Sequence, residues 1–171
     1  MEHLESYENF DQIEQSIQKT LREYVQKVKY EKSNKTWTNE LLNALGKLGG
    51  EFGYKPCPSV TESAWLYDMV WYREQVGVGV KKIPFLVEVP FAMESEWNPE
   101  FEEIKYDFEK LLVVNATHRL MICYAKPDDY FMLLNFFYDS IQNYRQNRKG
   151  DRYMIAILNS ETNDDFFLKY L

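Results

Sequence analysis

The stretch that decides the fold is AWLYDMVWY, residues 64–72, in which aromatic and β-branched side chains surround a single charge, Asp68. This composition is typical of a β-strand, and we predict one over about residues 64–73. A lone carboxylate in such a strand is costly to bury unless it is paired, hydrogen-bonded or bound to a metal ion. Asp68 is therefore either a functional residue or a strand-end residue that reaches solvent or an arginine.

The hydrophobic period on both sides of this stretch predicts an alternation of helices and strands. A Thr38 cap and the pair Gly49-Gly50 mark the expected ends of the second helix, and two prolines make residues 54–58 irregular. Pro90 predicts a bulge or an edge position in the second strand. The predicted helices lie at about 8–30, 38–50, 98–115 and 127–148, and the predicted strands at about 64–73, 83–96, 118–125, 152–158 and 166–171.

The order of these elements predicts the fold class. The first strands follow one another as in a hairpin, whereas the later ones are separated by helices, which favours an α/β fold with a central mixed β-sheet flanked by helices. A chain of 171 residues without a long linker predicts a single domain over residues 1–171.

Composition limits how the protein can meet its partners. There are 20 basic and 27 acidic residues, giving a net charge of −7, which argues against a broad basic surface for nucleic acid. It does not exclude contact with phosphates through a bound metal ion. The two cysteines favour ordinary reduced thiols. No segment approaches the roughly 18–20 apolar residues of a membrane span. We expect no membrane partner and a cytoplasmic location.

The second strand carries three carboxylates, Glu88, Glu94 and Glu96. Glu94 and Glu96 lie two residues apart and project to the same side of a regular strand. A divalent cation would offset the repulsion between them, and Mg²⁺ accepts such oxygen ligands while keeping several waters. We therefore expect Mg²⁺, with Mn²⁺ as a possible substitute. A solvated, acidic strand end is the alternative interpretation.

These residues, in this order, resemble the PD-(D/E)xK, or restriction-endonuclease-like, nuclease superfamily. The resemblance covers about residues 37–125, from a helix that ends near Glu51 to the strand that starts at His118. It implies a core over these residues, to which the helix at 8–30 and the segment 127–171 are additions. It includes MESEW at residues 93–97 and DFEKL at residues 107–111. It implies a restriction-endonuclease-like core and metal-dependent hydrolysis of phosphodiester bonds in nucleic acid.

The resemblance also implies roles for individual residues. Asp68 matches the family's first-strand aspartate, Glu94 matches its second acidic ligand, and Glu96 stands where the motif lysine would follow. Glu51 occupies the place of a first-helix glutamate found in some members. Glu88, on the same strand, is an additional candidate; as with Glu94, no lysine follows it at the spacing of the motif.

In some members of the family the following helix supplies the lysine, which makes Lys110 the candidate here and Lys105 the reserve. A lysine at this place would orient the attacking water and stabilise the charge that develops in the transition state. On a helical wheel, Lys105 lies about 70° and Lys110 about 150° from the centre of the apolar face. A solvated surface lysine is the alternative for Lys110.

The missing motif lysine and the acidic balance leave a second interpretation open. The alternative is a catalytically inactive nuclease-fold module that binds protein partners, or a second copy of itself, through the aromatic helix 130–144. We expect His118 to be structural. A basic cluster beside two tyrosines could contact phosphates, or could simply be a solvated helix end; it comprises Arg145, Arg148, Lys149 and Arg152.

Overall fold

The protein is built on one mixed β-sheet with helices on both faces. The structure, a computed structural model, describes residues 9–28, 33–59, 64–79 and 81–171. Its elements are α1 (Gln12–Val28), α2 (Asn34–Glu51), β1 (Lys55–Cys57), β2 (Met69–Val76), β3 (Pro84–Glu96), α3 (Phe101–Val113), β4 (His118–Ala125), α4 (Tyr130–Asn143), β5 (Arg152–Asn159) and β6 (Phe166–Tyr170).

The six strands lie across the sheet in chain order. The pairs β3–β4 and β4–β5 are parallel, and the other neighbouring pairs are antiparallel. Parallel neighbours require a crossover connection, and α3 and α4 provide the two crossovers. The predicted α/β class with a mixed sheet is confirmed, whereas a restriction-endonuclease-like core stays a prediction.

The two faces of the sheet bury two separate apolar clusters. Helices α1 and α2 cover one face, where Trp71, Phe91 and Met93 are fully buried. Helices α3 and α4 cover the other face, where Ala92 and its neighbours are buried. Because side chains alternate along a strand, Glu94 shares the α3/α4 face with Ala92. The helices that can contact Glu94 are therefore α3 and α4, and not α1 and α2.

Strand β2 starts later than the aromatic composition predicts. Pairing with β3 starts at Met69, opposite Met93, so the expected strand over 64–73 is wrong at its first five residues. Trp65 and Leu66 lie before the strand and are exposed. Composition alone favoured a strand over residues 64–68, but a strand also needs a neighbouring strand to pair with. Because the pairing with β3 starts at Met69, Asp68 lies immediately before β2.

Helix α2 also differs from the expectation at both ends. It starts at Asn34, before the predicted Thr38 cap, and it includes Gly49 and Gly50 in its last turns. Gly49 does not end the helix: a Cβ atom there would lie 2.7 Å from the indole ring of Trp71. The glycine is therefore needed for close packing of α2 against β2.

Three further boundaries differ from the prediction. The segment 54–58, expected to be irregular, contains the edge strand β1, a position in which proline is tolerated. Helix α4 ends at Asn143, before the predicted end at 148. Of the predicted helix 8–30, residues 8, 29 and 30 lie outside the described residues, and α1 begins only at Gln12.

Near Pro90 the ladder between β2 and β3 is irregular. Trp71 pairs with Phe91 and Arg73 pairs with Glu88, so two residues of β3 lie opposite one of β2. The bulge predicted at Pro90 is confirmed. Beyond the bulge, the hairpin extends past the neighbouring strands as an arm, with apolar side chains exposed to solvent.

The remaining features agree with a packed α/β core. Cys57 and Cys123 are buried as free thiols. Within the described part of the chain, no helix combines the length and apolarity needed to cross a bilayer.

Candidate functional site

Asp68 lies at the entrance of β2, beside the carboxyl end of β3. The backbone N–H of Ser95 donates a hydrogen bond to Asp68 Oδ2 over 2.8 Å, and the Ser95 hydroxyl donates to the same oxygen over 2.7 Å. Because Met69 pairs with Met93, Asp68 is placed next to Glu94 across the two strands. The aspartate is therefore fixed at a strand end, half-buried, with its charge directed towards β3.

Glu94 is almost completely removed from solvent, with 1% of its surface exposed. The ammonium Nζ of Lys110, on α3, lies 2.6 Å from Glu94 Oε1. The same ammonium lies 3.3 Å from Asp107 Oδ1, one turn earlier on the helix. Asp68, Glu94, Asp107 and Lys110 form what we call the carboxylate–lysine cluster.

The charges of this cluster act on one another's pKa values. Burial raises the pKa of Glu94 to about 8; Lys110 opposes this shift, while the charges of Asp68 and Asp107 add to it. Burial raises the pKa of Asp107 as well, again against the effect of Lys110. Burial disfavours the ammonium of Lys110, but Glu94 and Asp107 together hold its pKa above the usual value. The cluster thus combines three carboxyl groups with one ammonium group, that of Lys110.

The predicted residues Lys105 and Lys110 behave differently. Lys110 reaches the cluster although it lies far round the helix from the apolar face, because its long stem can carry the ammonium back along α3. Lys105 instead pairs with Glu102 at 3.4 Å on the exposed side of the helix. The structure therefore brings Lys110, and not the reserve Lys105, to Glu94.

Glu96 lies at the edge of the site. It shares the face of Glu94, but its Oε1 accepts a hydrogen bond from the backbone N–H of Asn98 over 2.6 Å. Burial raises its pKa, and the charges of Asp107 and Glu103 raise it further. Glu96 thus stabilises the turn that leads into α3 while its carboxyl lies near Asp107.

Two other candidates lie away from the cluster. Glu88 belongs to the protruding part of the hairpin, where it pairs with Arg73 at 3.0 Å. Six residues separate it from Glu94, about 20 Å along an extended strand. Glu51 ends α2 and lines a groove between α1 and α2, the layer on the opposite face of the sheet. The order of motifs along a chain does not determine the layer in which a helix end lies.

Sequence reasoning missed three residues of the site. Asp107 precedes Lys110 by three residues on a helix, and this spacing is a readable signal for a contact. Ser95 could not be identified from the sequence, because its hydrogen bonds to Asp68 depend on how β2 pairs with β3. Tyr67 is half-buried beside the cluster: burial raises its pKa and so does Glu94, while Lys110 and Arg119 oppose the shift.

The donor atoms of the cluster are hard oxygens, the ligand type that Mg²⁺ and Mn²⁺ prefer. Among the residues that the structure describes, no three His, Cys, Asp or Glu side chains are arranged to hold a metal ion. Glu94 Oε1 is buried, and the ammonium of Lys110 forms an ion pair with it over 2.6 Å. A cation would therefore meet the two carboxylates of Asp68 and Glu94, with the rest of its shell supplied by water or substrate.

No protein-family model, curated protein or solved structure matches this chain. The geometry of the site therefore carries the functional argument.

Proposed function

We propose that the protein is a metal-dependent nuclease-like hydrolase of phosphodiester bonds in nucleic acid, with Asp68 and Glu94 as ligands of Mg²⁺. The observation that carries the proposal is the contact of 2.6 Å between Lys110 and the buried Glu94, beside Asp68. A carboxylate pair next to a lysine is the residue set that the resemblance to the PD-(D/E)xK superfamily implies. The succession of α2, two antiparallel strands, α3 and the parallel β4 supports the same resemblance.

The residues fit a cation that keeps most of its own water. Mg²⁺ is commonly held in proteins by one or two carboxylates together with waters and substrate phosphates, and the cluster offers two carboxylates near each other. When bound, the ion would supply Lewis-acid polarisation of a phosphoryl oxygen. Glu94 would hold it from the sheet, and Asp68 from the entrance of β2. Glu96 lies further along β3, beyond these two carboxylates.

Lys110 is the residue with a direct role towards the substrate. Its ammonium is partly exposed, with 29% of the side-chain surface accessible, so a phosphate oxygen can approach it. Glu94 and Asp107 hold the ammonium in place and keep it protonated. A fixed cation aimed at a phosphoryl group stabilises the negative charge that develops in the transition state. Asp107 is a positioning residue, because it acts through Lys110.

The experiment measures cleavage of single- and double-stranded DNA and RNA with and without Mg²⁺ or Mn²⁺. Asp68→Asn and Glu94→Gln are each expected to lower the rate by about 10²-fold or more, and Lys110→Met by about 10²–10³-fold. The matched control is Lys105→Met, which removes the same side chain one and a half turns away on α3. It is expected to stay within about twofold of the wild type.

Calorimetry with Mg²⁺ and Mn²⁺ separates binding from cleavage. The wild type is expected to bind the cation, and Asp68→Asn to bind it more weakly. Absence of cleavage for every substrate with either metal would overturn the enzymatic proposal. Equal loss in Lys105→Met and Lys110→Met would remove Lys110 from the site.

A second function is favoured by one specific observation on α4. Phe131 and Met132 are exposed on this helix, whereas Phe137 is fully buried in the core. Such an apolar surface is typical of a contact with a protein partner or with a second copy of the chain. If the chain is an inactive module that dimerises through α4, light scattering should give a dimer that Phe131→Asp dissociates and that chelators leave intact. A monomer in wild type and variant alike would exclude the dimer.

A further inference from the structure

A small cavity of about 60 Å³ lies where the end of α3 meets the loop that follows α4. Its polar lining comes from Asn115, Arg119, Tyr144, Gln146 and Arg148. A water molecule occupies about 30 Å³ in the liquid, so the cavity has room for two waters or for one small oxyanion. Two of the lining side chains are guanidinium groups.

Arg119 forms the buried side of this cavity. It lies on β4 with only 4% of its surface exposed. Its Nη2 donates to the carbonyl of Val114 over 3.0 Å and to Asp151 Oδ2 over 3.1 Å, and its guanidinium stacks on Tyr153 at 4.7 Å. Nε and Nη1 are buried and have no partner among the described residues. Unsatisfied donors leave the positive charge of this buried guanidinium only partly compensated, so an anion in the adjoining cavity would be bound favourably.

Arg148 forms the exposed rim of the cavity. Its Nη1 donates to Asn115 Oδ1 over 2.8 Å, which fixes the side chain across the cavity mouth. Its backbone N–H donates to Asp151 Oδ2 over 3.0 Å, the same oxygen that accepts from Arg119. Asp151 thus pairs with the guanidinium of Arg119 and with the backbone of Arg148, so one carboxylate stands against two guanidinium charges and the site keeps a net positive charge.

We infer that this cavity binds a phosphate group, supplied either by free phosphate or by the end of a nucleic-acid strand. Guanidinium groups recognise phosphate through paired, charge-assisted hydrogen bonds, and here one is buried and the other lies at the rim. The amide of Gln146 adds a further donor. Of the basic residues that cluster in the sequence, Arg148 lines the cavity and Arg145 does not.

The cavity is separate from the carboxylate–lysine cluster but lies on the same face of the sheet. Arg119 pairs with Ala92, two residues before Glu94, so the two sites are offset by about 7 Å along the strands. Tyr67 interacts electrostatically with both Glu94 and Arg119. Phosphate binding does not depend on the proposed hydrolysis, and it can be measured without a metal ion.

The experiment titrates the full chain in EDTA at constant ionic strength with three probes. These are inorganic phosphate, a short oligonucleotide with a 5′-phosphate and the same oligonucleotide without it. The side-chain NMR signals of Arg119 report binding without altering that residue. Arg148→Ala is expected to weaken binding about tenfold, since it removes one charge-assisted contact. Arg145→Ala is the matched control, with the same charge change outside the cavity, and is expected to leave the affinity unchanged.

The outcomes distinguish the source of the phosphate. Binding of the phosphorylated oligonucleotide in preference to the unphosphorylated one supports a strand end, and binding of inorganic phosphate alone supports free phosphate. The inference is overturned if none of the probes shifts the Arg119 signals. It is also overturned if Arg145→Ala and Arg148→Ala weaken binding equally, because the effect would then be one of net charge.

Discussion

Each face of the sheet holds a fully buried glutamate next to a cation, and the two glutamates differ in how their oxygens are satisfied. On the α1/α2 face, Glu14 is 0% exposed; its Oε1 accepts from Arg152 Nε over 2.8 Å and its Oε2 from Arg152 Nη2 over 2.5 Å. The backbone N–H of Asp11 donates to Oε2 over 3.0 Å, and Asp11 Oδ1 accepts from the N–H of Glu14 in return. This reciprocal pair caps α1.

Glu94, on the α3/α4 face, has a weaker set of partners. Its Oε1 pairs with one ammonium, that of Lys110, over 2.6 Å, and this contact is not bidentate. A bidentate guanidinium and a backbone amide suit a carboxylate with a structural role. A buried carboxylate that lacks such partners, with a second carboxylate close by, is available for a ligand. The difference separates a glutamate that stabilises the fold from one suited to chemistry.

The largest expected effect is on stability, when each of the two glutamates is replaced by glutamine. Glu14→Gln breaks the bidentate pair and leaves Arg152 with the more distant carboxylate of Asp11, at 3.9 Å, which should lower the free energy of unfolding by about 3 kcal/mol at pH 7. For a chain of this size, the melting temperature would fall by about 6–12 °C. Glu94→Gln replaces a buried carboxyl whose pKa is about 8 by a neutral amide and should not lower the stability at pH 7.

Urea denaturation of both variants beside the wild type measures this contrast. Equal destabilisation by the two substitutions would show that Glu94 is as much a part of the fold as Glu14. The distinction between a structural and a functional glutamate would then be lost.

A second, smaller effect concerns the pH dependence of stability. In the unfolded chain Glu94 has its ordinary pKa of 4.5, and in the folded, metal-free protein its pKa is about 8. Between these values the unfolded state has released a proton that the folded state keeps, so the contribution of Glu94 to stability falls as pH rises. Glu94→Gln removes the titrating group and with it this decrease in stability. The variant should therefore gain stability relative to the wild type between pH 5 and pH 8.

The gain should grow steadily across this window, because the raised pKa of Glu94 already includes the opposing effect of Lys110. Urea denaturation in EDTA at several pH values measures it. Lys110 titrates above this window and does not contribute to the slope. A stability difference that stays constant from pH 5 to pH 8 would show that burial does not perturb Glu94.

Much of the sheet could be predicted from composition, and the exceptions have identifiable causes. HRLMICYA was predicted as a strand with the bounds of β4, because an apolar run between polar residues leaves few alternatives. The aromatic residues 64–67 were misassigned, since strand pairing and not composition fixes where β2 starts. The α/β class followed from element order alone.

The site was predictable in its residue types and less so in its contacts. Asp68 and Glu94 were singled out as charges in apolar strands, and the structure brings both to one place. The contact of Lys110 depends on the reach of a flexible side chain, which a helical wheel does not represent. Glu51 and Glu88 were selected by motif order, and tertiary placement puts both elsewhere. Ser95 and Arg119 depend on strand register, which the sequence does not specify.

The smallest expected effect is the loss of stability when the hydroxyl group that donates to Asp68 is removed. Ser95→Ala removes the hydroxyl that donates to Asp68 Oδ2 but keeps the backbone N–H, so unfolding should become easier by about 1 kcal/mol. Ser33→Ala is the matched control, because the Ser33 side chain makes no capping hydrogen bond with α2, and it should cost less than about 0.5 kcal/mol. Urea denaturation of the two variants gives the difference. If both substitutions cost the same, the hydroxyl does not fix Asp68, and the aspartate is held by the backbone of β3 alone.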